Sequence, residues 1–199
     1  RVYAFVKARK DKQIHVNSKD LGISGFFKEE IFQPERGGKS ARIKLEPIKN
    51  AIQQVLDRAE RKFGVDAEVH SSVPVSAGLG SSAAVAASTV AAVAHLLAVK
   101  LTLDEIFHVA LEAERQIHGT PSGIDPAIST YGGMLLFQKE KGFTPLNVQA
   151  DLPLVVGNTG VEHSTGDLVA SVCQKRDRYP SIIDPVSYTH LRAHETGRN

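Results

Sequence analysis

The chain has 199 residues, of which 42% are hydrophobic and 23% charged, so it is long enough and apolar enough to bury a core. Its formal net charge of +2 is too small to indicate a nucleic-acid partner or an anionic membrane, and we expect neither. A single cysteine, Cys173, excludes an internal disulfide framework and agrees with a cytoplasmic location.

Two strands, a helix and a third strand are predicted in the first part of the chain. Apolar and polar residues alternate over residues 2–8 and 13–16, which predicts strands. Apolar residues with helical spacing follow Pro47 and stop before Gly64, which predicts a helix between these two residues. A short strand is then predicted over residues 66–73.

An alanine-rich helix and an amphipathic helix follow. The first is predicted to run from a glycine loop to about residue 99. Its stretch 83–101 is the one membrane-span candidate, but it contains polar residues and lacks flanking aromatic residues, so we expect a buried helix of a globular domain. The second helix is predicted over residues 102–117, with a capping box in its first turn.

The remainder of the chain alternates between turns, strands and a helix. Residues 118–133 are rich in glycine, proline and serine, which predicts turns. Strands are predicted over residues 134–138 and 152–156, and a capped helix begins at Ser164 or Thr165.

The last fourteen residues, 186–199, show no periodicity and follow abruptly on the preceding sequence. They resemble translated sequencing-adapter read-through, so we interpret them as a non-native tail and leave them out of the fold prediction. The rest of the chain mixes strands and helices without internal repeats, which indicates an α+β fold.

The segment PVSAGLGSSAA, which begins at Pro74, is the first with a chemical signal. Backbone N–H groups of a glycine turn form a concave anion site, and the start of the following helix adds partial positive charge. A hydroxyl of Ser81 or Ser82 would also suit a magnesium ion. The alternative is a glycine turn that only lets an alanine-faced helix pack closely, and the spacing alone leaves both interpretations open. The segment has neither the lysine of a P-loop nor the spacing of a Rossmann motif.

Glu114 lies on the inward-facing stripe of the helix predicted over residues 102–117. The apolar members of that stripe are Leu103, Ile106, Phe107, Ala110 and Ile117. A carboxylate on this stripe would be buried, which is costly unless it meets a cation. The alternatives are an ion pair with Arg115 or a lysine, and a helix end that has turned toward solvent.

Asp125 lies in the segment PSGIDP, residues 121–126. An aspartate before proline in a glycine turn often serves only the turn. A second role is indicated by its neighbours, because phosphoryl transfer needs a phosphate cradle, a carboxylate on Mg²⁺ and a carboxylate near the attacking hydroxyl. His118 is either a substrate contact or a structural or solvated residue. No metal-ligand spacing is found among the other histidines.

Three segments resemble the GHMP kinases, the family that includes galactokinase, homoserine kinase, mevalonate kinase and phosphomevalonate kinase. PVSAGLGSSAA is similar to the second motif of that family, and AERQIHGTPSGIDPAISTYGG is similar to its mevalonate kinase branch. VVGNTGVEHSTGDLVASV resembles the start of the family's C-terminal domain. The resemblance covers residues 1 to about 185 and implies ATP-dependent phosphorylation of the 5-hydroxyl of mevalonate in isoprenoid biosynthesis.

The resemblance implies a role for each matching residue. ATP phosphates would lie against Gly78, Leu79, Gly80, Ser81 and Ser82. Ser82 and Glu114 would ligate Mg²⁺, and Asp125 would accept the proton of the substrate hydroxyl. On the substrate side the candidates are His118, Gly119 and Ser122.

The resemblance also implies a two-domain α+β fold. Residues 1–150 would form an N-terminally truncated GHMP kinase N-terminal domain resembling ribosomal protein S5 domain 2, and residues 151–185 would begin a ferredoxin-like C-terminal domain. The family's first and third motifs are not found, so we expect an internal fragment. Two alternatives stay open: another GHMP kinase, such as a phosphomevalonate or sugar kinase, and a non-catalytic nucleotide-binding module. A homodimer is kept as a candidate assembly.

Overall fold

A computed structural model describes residues 1–74, 78–118, 121–138, 141–148, 153, 155–157 and 165–193. The chain forms two compact units, Arg1–Gly157 and Asn158–Asn199. No helix within the described ranges is long and apolar enough to cross a membrane.

The first unit is built on a five-stranded sheet. Its strands are β1 (Val2–Arg9), β2 (Ile14–Ser18), β3 (Ile23–Lys28), β4 (Ile31–Arg36) and β5 (Gly64–Ser71). They lie in the order β1-β5-β2-β3-β4, so the last strand in sequence is inserted between the first two. The pairing of β2 with β5 is parallel and the other pairings are antiparallel.

Four helices and a hairpin complete the first unit. The helices are α1 (Ala41–Arg58), α2 (Ser81–Leu96), α3 (Leu103–His118) and α4 (Ile124–Tyr131). The hairpin consists of β6 (Met134–Gln138) and β7 (Gly142–Leu146). In the second unit, α5 (Thr165–Arg178) packs against α6 (Pro180–Ala193), and Arg176 Nε donates to Asp184 Oδ1 at 2.7 Å.

The core lies between the sheet and helices α1 and α2, and α3 packs against both helices. Its largest aliphatic side chains with 2% exposure or less are Val16, Leu45, Ile52, Val55, Leu56, Val65, Val69, Val90 and Val93. Burying each such side chain contributes about 2 kcal/mol of hydrophobic stabilisation. Where α2 meets α3, the buried residues are Ala86, Ala87 and Ala110, whose small side chains let the two helices approach closely.

The helix predicted between Pro47 and Gly64 differs from the structure at both ends. Helix α1 begins at Ala41 and contains Pro47 in its interior, although a proline there removes one helical hydrogen bond. The first turns are retained because they bury Ala41 and Leu45. Gly64 does not end the helix but begins β5, where an added Cβ would lie 2.3 Å from the carbonyl oxygen of Gln13.

Five elements lie where the sequence predicts none or only turns, namely β3, β4, α4, β7 and α6. Strands β3 and β4 extend the sheet, and helix α4 occupies residues that were predicted to form only turns. Helix α6 continues to residue 193, so residues 186–193, which the sequence analysis leaves out of the fold prediction, are helical. The proposed non-native origin of the tail stays a prediction. The strand predicted over 152–156 lies partly outside the described residues, and the described positions 153, 155 and 156 are not in a strand.

Other predicted elements are confirmed. The strand over residues 134–138 is β6. The capping box is present, since the Thr102 hydroxyl accepts from the Glu105 amide at 3.2 Å and the Glu105 carboxylate accepts from the Thr102 amide at 2.9 Å. The predicted helix beginning at Ser164 or Thr165 is α5.

Candidate active site

The glycine loop leads directly into helix α2. Gly78 and Gly80 both have the left-handed conformation, with φ of 69° and 65°. Gly80 is the N-cap residue of α2, and among the described residues no side chain caps this end of the helix. With respect to the described residues, the first amide groups of α2 are therefore open to a ligand, and the helix dipole makes this end favourable for an anion.

The side chains beside the loop differ in their exposure. Ser81 is half-buried, and its hydroxyl donates to the carbonyl oxygen of Val73 at 3.5 Å. Ser82 and Leu79 are exposed. Of the two serines, Ser82 is thus the one whose hydroxyl faces solvent rather than the body of the domain.

Asp125 lies in the first turn of α4 and is exposed. The helix starts from Gly123, which has a φ of 81° and packs so closely on α3 that an added Cβ would lie 3.5 Å from Leu111. On the other side, a Cβ added to Gly80 would lie 3.5 Å from both Cβ and Cγ of Asp125. This contact places the carboxyl group of Asp125 directly beside the N-terminus of α2.

Glu114 is buried, as its position on the helix predicts, with an exposure of 8%. The alternative ion pair with Arg115 is wrong, because Arg115 donates to Glu112 at 3.3 Å instead. Among the described residues, the Glu114 carboxyl group makes no hydrogen bond and no ion pair. Its burial, and to a lesser extent the charge of Asp125, raise the pKa of Glu114 to about 7. The two carboxyl groups therefore interact through space within one site.

The apolar stripe predicted around Glu114 is correct only in part. Phe107 and Ala110 are buried and Ile106 is half-buried, but Leu103 is 54% exposed. Helical spacing predicts which face of a helix is apolar, but it does not predict how much of that face other elements cover. Leu103 lies on the apolar face at a position that is not covered. The side chain of Ile117 lies outside the described residues.

The substrate-side candidates are only partly described. Ser122 is exposed, and its hydroxyl accepts from the Ile124 amide at 3.3 Å at the start of α4. His118 is the last residue of α3, while its side chain and all of Gly119 lie outside the described residues. The sequence analysis does not single out Gly123, although a glycine directly before a helix start is a signal for a left-handed cap.

The donor set suits a hard divalent cation. Within the described ranges no three His, Cys, Asp or Glu side chains are grouped to hold a metal by themselves. Glu114 nevertheless supplies a buried carboxyl group that has no cationic partner in the part of the chain that the structure describes, and the charge of Asp125 acts on it. Mg²⁺ commonly takes one or two carboxylates and completes its shell with water and phosphate oxygens, so a site with few protein ligands fits it.

A glycine loop at a helix start, facing two carboxyl groups across a mixed α/β domain, is the arrangement of a small-molecule kinase fold. Residues 46–133 match the family of GHMP kinases N terminal domains, and the chain belongs to the GHMP kinase family. This confirms the predicted α+β GHMP kinase fold and the resemblance on which it rested.

Several of the similar proteins are mevalonate kinases. That of Thermococcus sibiricus is 38% identical over 202 residues, which cover 100% of this chain and 60% of the relative. That of Thermococcus gammatolerans is 38% identical over 191 residues, covering 94% and 56%. The crystal structure of L. major mevalonate kinase in complex with R-mevalonate matches with a TM-score of 0.72 at 26% identity, covering 97% of this chain and 58% of that one. The chain thus spans about three fifths of the length of the curated relatives it matches.

Proposed function

We propose that the protein carrying this sequence transfers a phosphoryl group from ATP to the 5-hydroxyl of mevalonate, giving 5-phosphomevalonate and ADP. The observation that supports the proposal is the close approach of Gly80 to Asp125, together with the effect of the Asp125 charge on the pKa of the buried Glu114. The relatives named mevalonate kinase, and the mevalonate bound in the L. major structure, support this substrate over other alcohols.

ATP is bound by the loop at the start of α2. Backbone amides from Gly78 to Ser82 donate to its phosphate oxygens, and the left-handed glycines let the phosphates approach without a side chain between. Leu79 is exposed at the outer edge of the loop. The hydroxyl of Ser81 is directed to the protein, so its amide is the part that binds phosphate.

Mg²⁺ is held by Glu114 and Ser82 in this proposal. The ion supplies positive charge that offsets the charge of the phosphates. Glu114 is suited to the role because its burial makes an unpaired negative charge unfavourable, and a bound cation removes that cost.

Asp125 acts as the base. Its carboxylate accepts the hydroxyl proton as the 5-oxygen forms a bond to the γ-phosphorus, while the bond from that phosphorus to the bridging oxygen of ADP breaks. The position of Asp125 beside the α2 N-terminus brings the acceptor to the end of the loop that holds the phosphates. The contacts to mevalonate are proposed for His118, Gly119 and Ser122, because in the sequence these residues lie between Glu114 and Asp125.

Mevalonate is the small-molecule partner under this proposal, and the protein acts in the cytoplasm. A homodimer stays a candidate assembly, which sedimentation velocity on the complete protein would test. The domain boundaries after residues 150 and 185 stay predictions as well.

The direct test is ADP release by the complete purified protein, measured with mevalonate, phosphomevalonate, homoserine or galactose as the acceptor. We expect turnover with mevalonate to exceed that with each of the others. If turnover is highest with another of these acceptors, that acceptor and not mevalonate is the substrate. ATP binding without turnover on all four would favour the non-catalytic module.

A further inference from the structure

Helix α4, which carries Asp125, is also held at its far end. Tyr131, the last residue of α4, donates its hydroxyl to Oδ1 of Asp104 at 2.6 Å. Asp104 lies in the first turn of α3, at the opposite end of that helix from Glu114. Hydrogen bonds of this length to a carboxylate are stronger than those between neutral groups.

The ring of Tyr131 adds a packing contact on the same side. Its centroid lies 5.8 Å from that of Phe107, one turn beyond Asp104 on α3. Phe107 also contacts Phe143 of β7, with ring centroids 5.6 Å apart. Burial and the hydrogen bond to Asp104 raise the pKa of Tyr131 to about 12, so the hydroxyl remains a donor at neutral pH.

The two ends of α4 are therefore fixed by different contacts. At the first turn, Asp125 lies against Gly80. Beyond Tyr131 the chain passes through residues 132–133, two glycines with a φ of 69° that would touch nothing within 4 Å if each carried a Cβ. Glycines of this kind restrain the backbone weakly. Pro126 and Ala127 are buried where α4 packs against α2 and α3, and the contact between Tyr131 and Asp104 is a further restraint at the far end of the helix.

We propose that Tyr131, acting through Asp104, is a positioning residue that keeps α4 oriented so that Asp125 faces the glycine loop. The inference rests on the proposed function, because it takes Asp125 to be the base. Tyr131 does not touch the reacting atoms. Without its hydroxyl, α4 tilts about its first turn and displaces the Asp125 carboxylate, whereas the N-terminus of α2 stays in place. Turnover is lowered and ATP binding is not.

Tyr131→Phe tests this directly, since it keeps the ring contact with Phe107 and removes only the hydroxyl. Tyr3→Phe is the matched control, because Tyr3 is 51% exposed on β1 and belongs to the sheet rather than to α4. In the complete protein we expect Tyr131→Phe to lower kcat with mevalonate roughly five-fold at unchanged KM for ATP. Hydrogen exchange of the amides in residues 123–132 should accelerate by roughly the same factor. Tyr3→Phe should change neither quantity.

Variants of Asp104 separate this contact from a general loss of stability. Asp104→Asn keeps an oxygen that accepts from Tyr131 and should stay near the wild type in kcat and exchange. Asp104→Ala should reproduce Tyr131→Phe, and the double variant should show no further loss, because both changes break one interaction.

Each outcome has a defined meaning. Unchanged kcat or unchanged exchange in Tyr131→Phe overturns the positioning role, and so does a double variant whose losses add. A failure of the proposed function would be detected by a different measurement, because the wild-type protein itself would then not phosphorylate mevalonate. In that case the exchange comparison of Tyr131→Phe with Tyr3→Phe still reports whether the contact orients α4.

Discussion

Replacing Glu114 by glutamine should make the protein more stable at pH 8 and leave its stability unchanged at pH 4.5. Glutamine has nearly the shape of a protonated glutamate and carries no charge. The pKa of Glu114 is raised from 4.5 to about 7 by burial and by Asp125, so the folded state holds this proton over a range in which the unfolded chain releases it. The free energy of unfolding therefore falls as the pH rises from 4.5 to 7 and stays low above that range.

The size of the effect follows from the shift. The pKa of Glu114 is about 2.5 higher in the folded than in the unfolded state, which corresponds to about 3 kcal/mol of unfolding free energy. Partial access of solvent to the site lowers the expected gain in stability to about 2 kcal/mol. For a chain of this length, the change corresponds to a rise in Tm of roughly 4–8 °C at pH 8.

Thermal and urea denaturation of the wild type and of Glu114→Gln at pH 4.5, 6, 7 and 8 would measure it. Glu112→Gln is the matched control, since Glu112 lies on the same helix but is exposed and pairs with Arg115, and its effect should stay within about 1 kcal/mol. Millimolar Mg²⁺ should raise the Tm of the wild type more than that of Glu114→Gln. A variant that is less stable at pH 8, or a difference that does not depend on pH, would refute the reasoning.

Three further predictions concern the loop, the base and the second unit. Gly80→Val should abolish ATP binding, measured by titration calorimetry, because a valine is strained at a φ of 65° and its side chain would project toward Asp125. Gly38→Val controls for backbone strain, since Gly38 has a φ of 66° but open space around it. This control variant should bind ATP normally. Asp125→Asn should lower kcat by roughly 10²-fold with little change in ATP affinity. Asp177→Asn is the control and should leave kcat unchanged. If the turnover of Asp125→Asn were as high as that of the control, Asp125 would serve only the turn. The apolar residues exposed on α5 should cause self-association of the 199-residue chain that rises with concentration in sedimentation velocity; Val169→Lys should reduce it, and a strictly monomeric wild type would contradict this.

The components of the candidate site were predictable where a residue type was unusual for its position. Glu114 stands out because a carboxylate on an apolar helix face demands an explanation, and its burial is confirmed. The contact between Gly80 and Asp125 was not predictable, since it depends on how α2 packs against α4, which brings together residues 45 positions apart. Sequence patterns describe each element separately and do not give such tertiary contacts.

The elements that the sequence analysis missed contain residues that usually break regular structure. Helix α4 has Pro126 in its first turn, where a proline costs little because that amide has no helical partner. Strand β4 contains Pro34 and lies at the edge of the sheet, where a missing amide donor is tolerated. Composition alone therefore predicted turns or nothing in both places, although position within the element decides whether proline is acceptable.

The insertion of β5 between β1 and β2 has a consequence for folding during synthesis. Strands β1 and β2 emerge from the ribosome before β5 but do not pair with each other, because each pairs with β5. The register joins Val2 to Ser71 and Ile14 to Val65, so the sheet is built from contacts of high sequence separation. Proteins rich in such contacts fold slowly. The edges of β1 and β2 thus stay open in the nascent chain until residue 71 has left the exit tunnel, and a chaperone that shields them over this interval should raise the yield of folded protein.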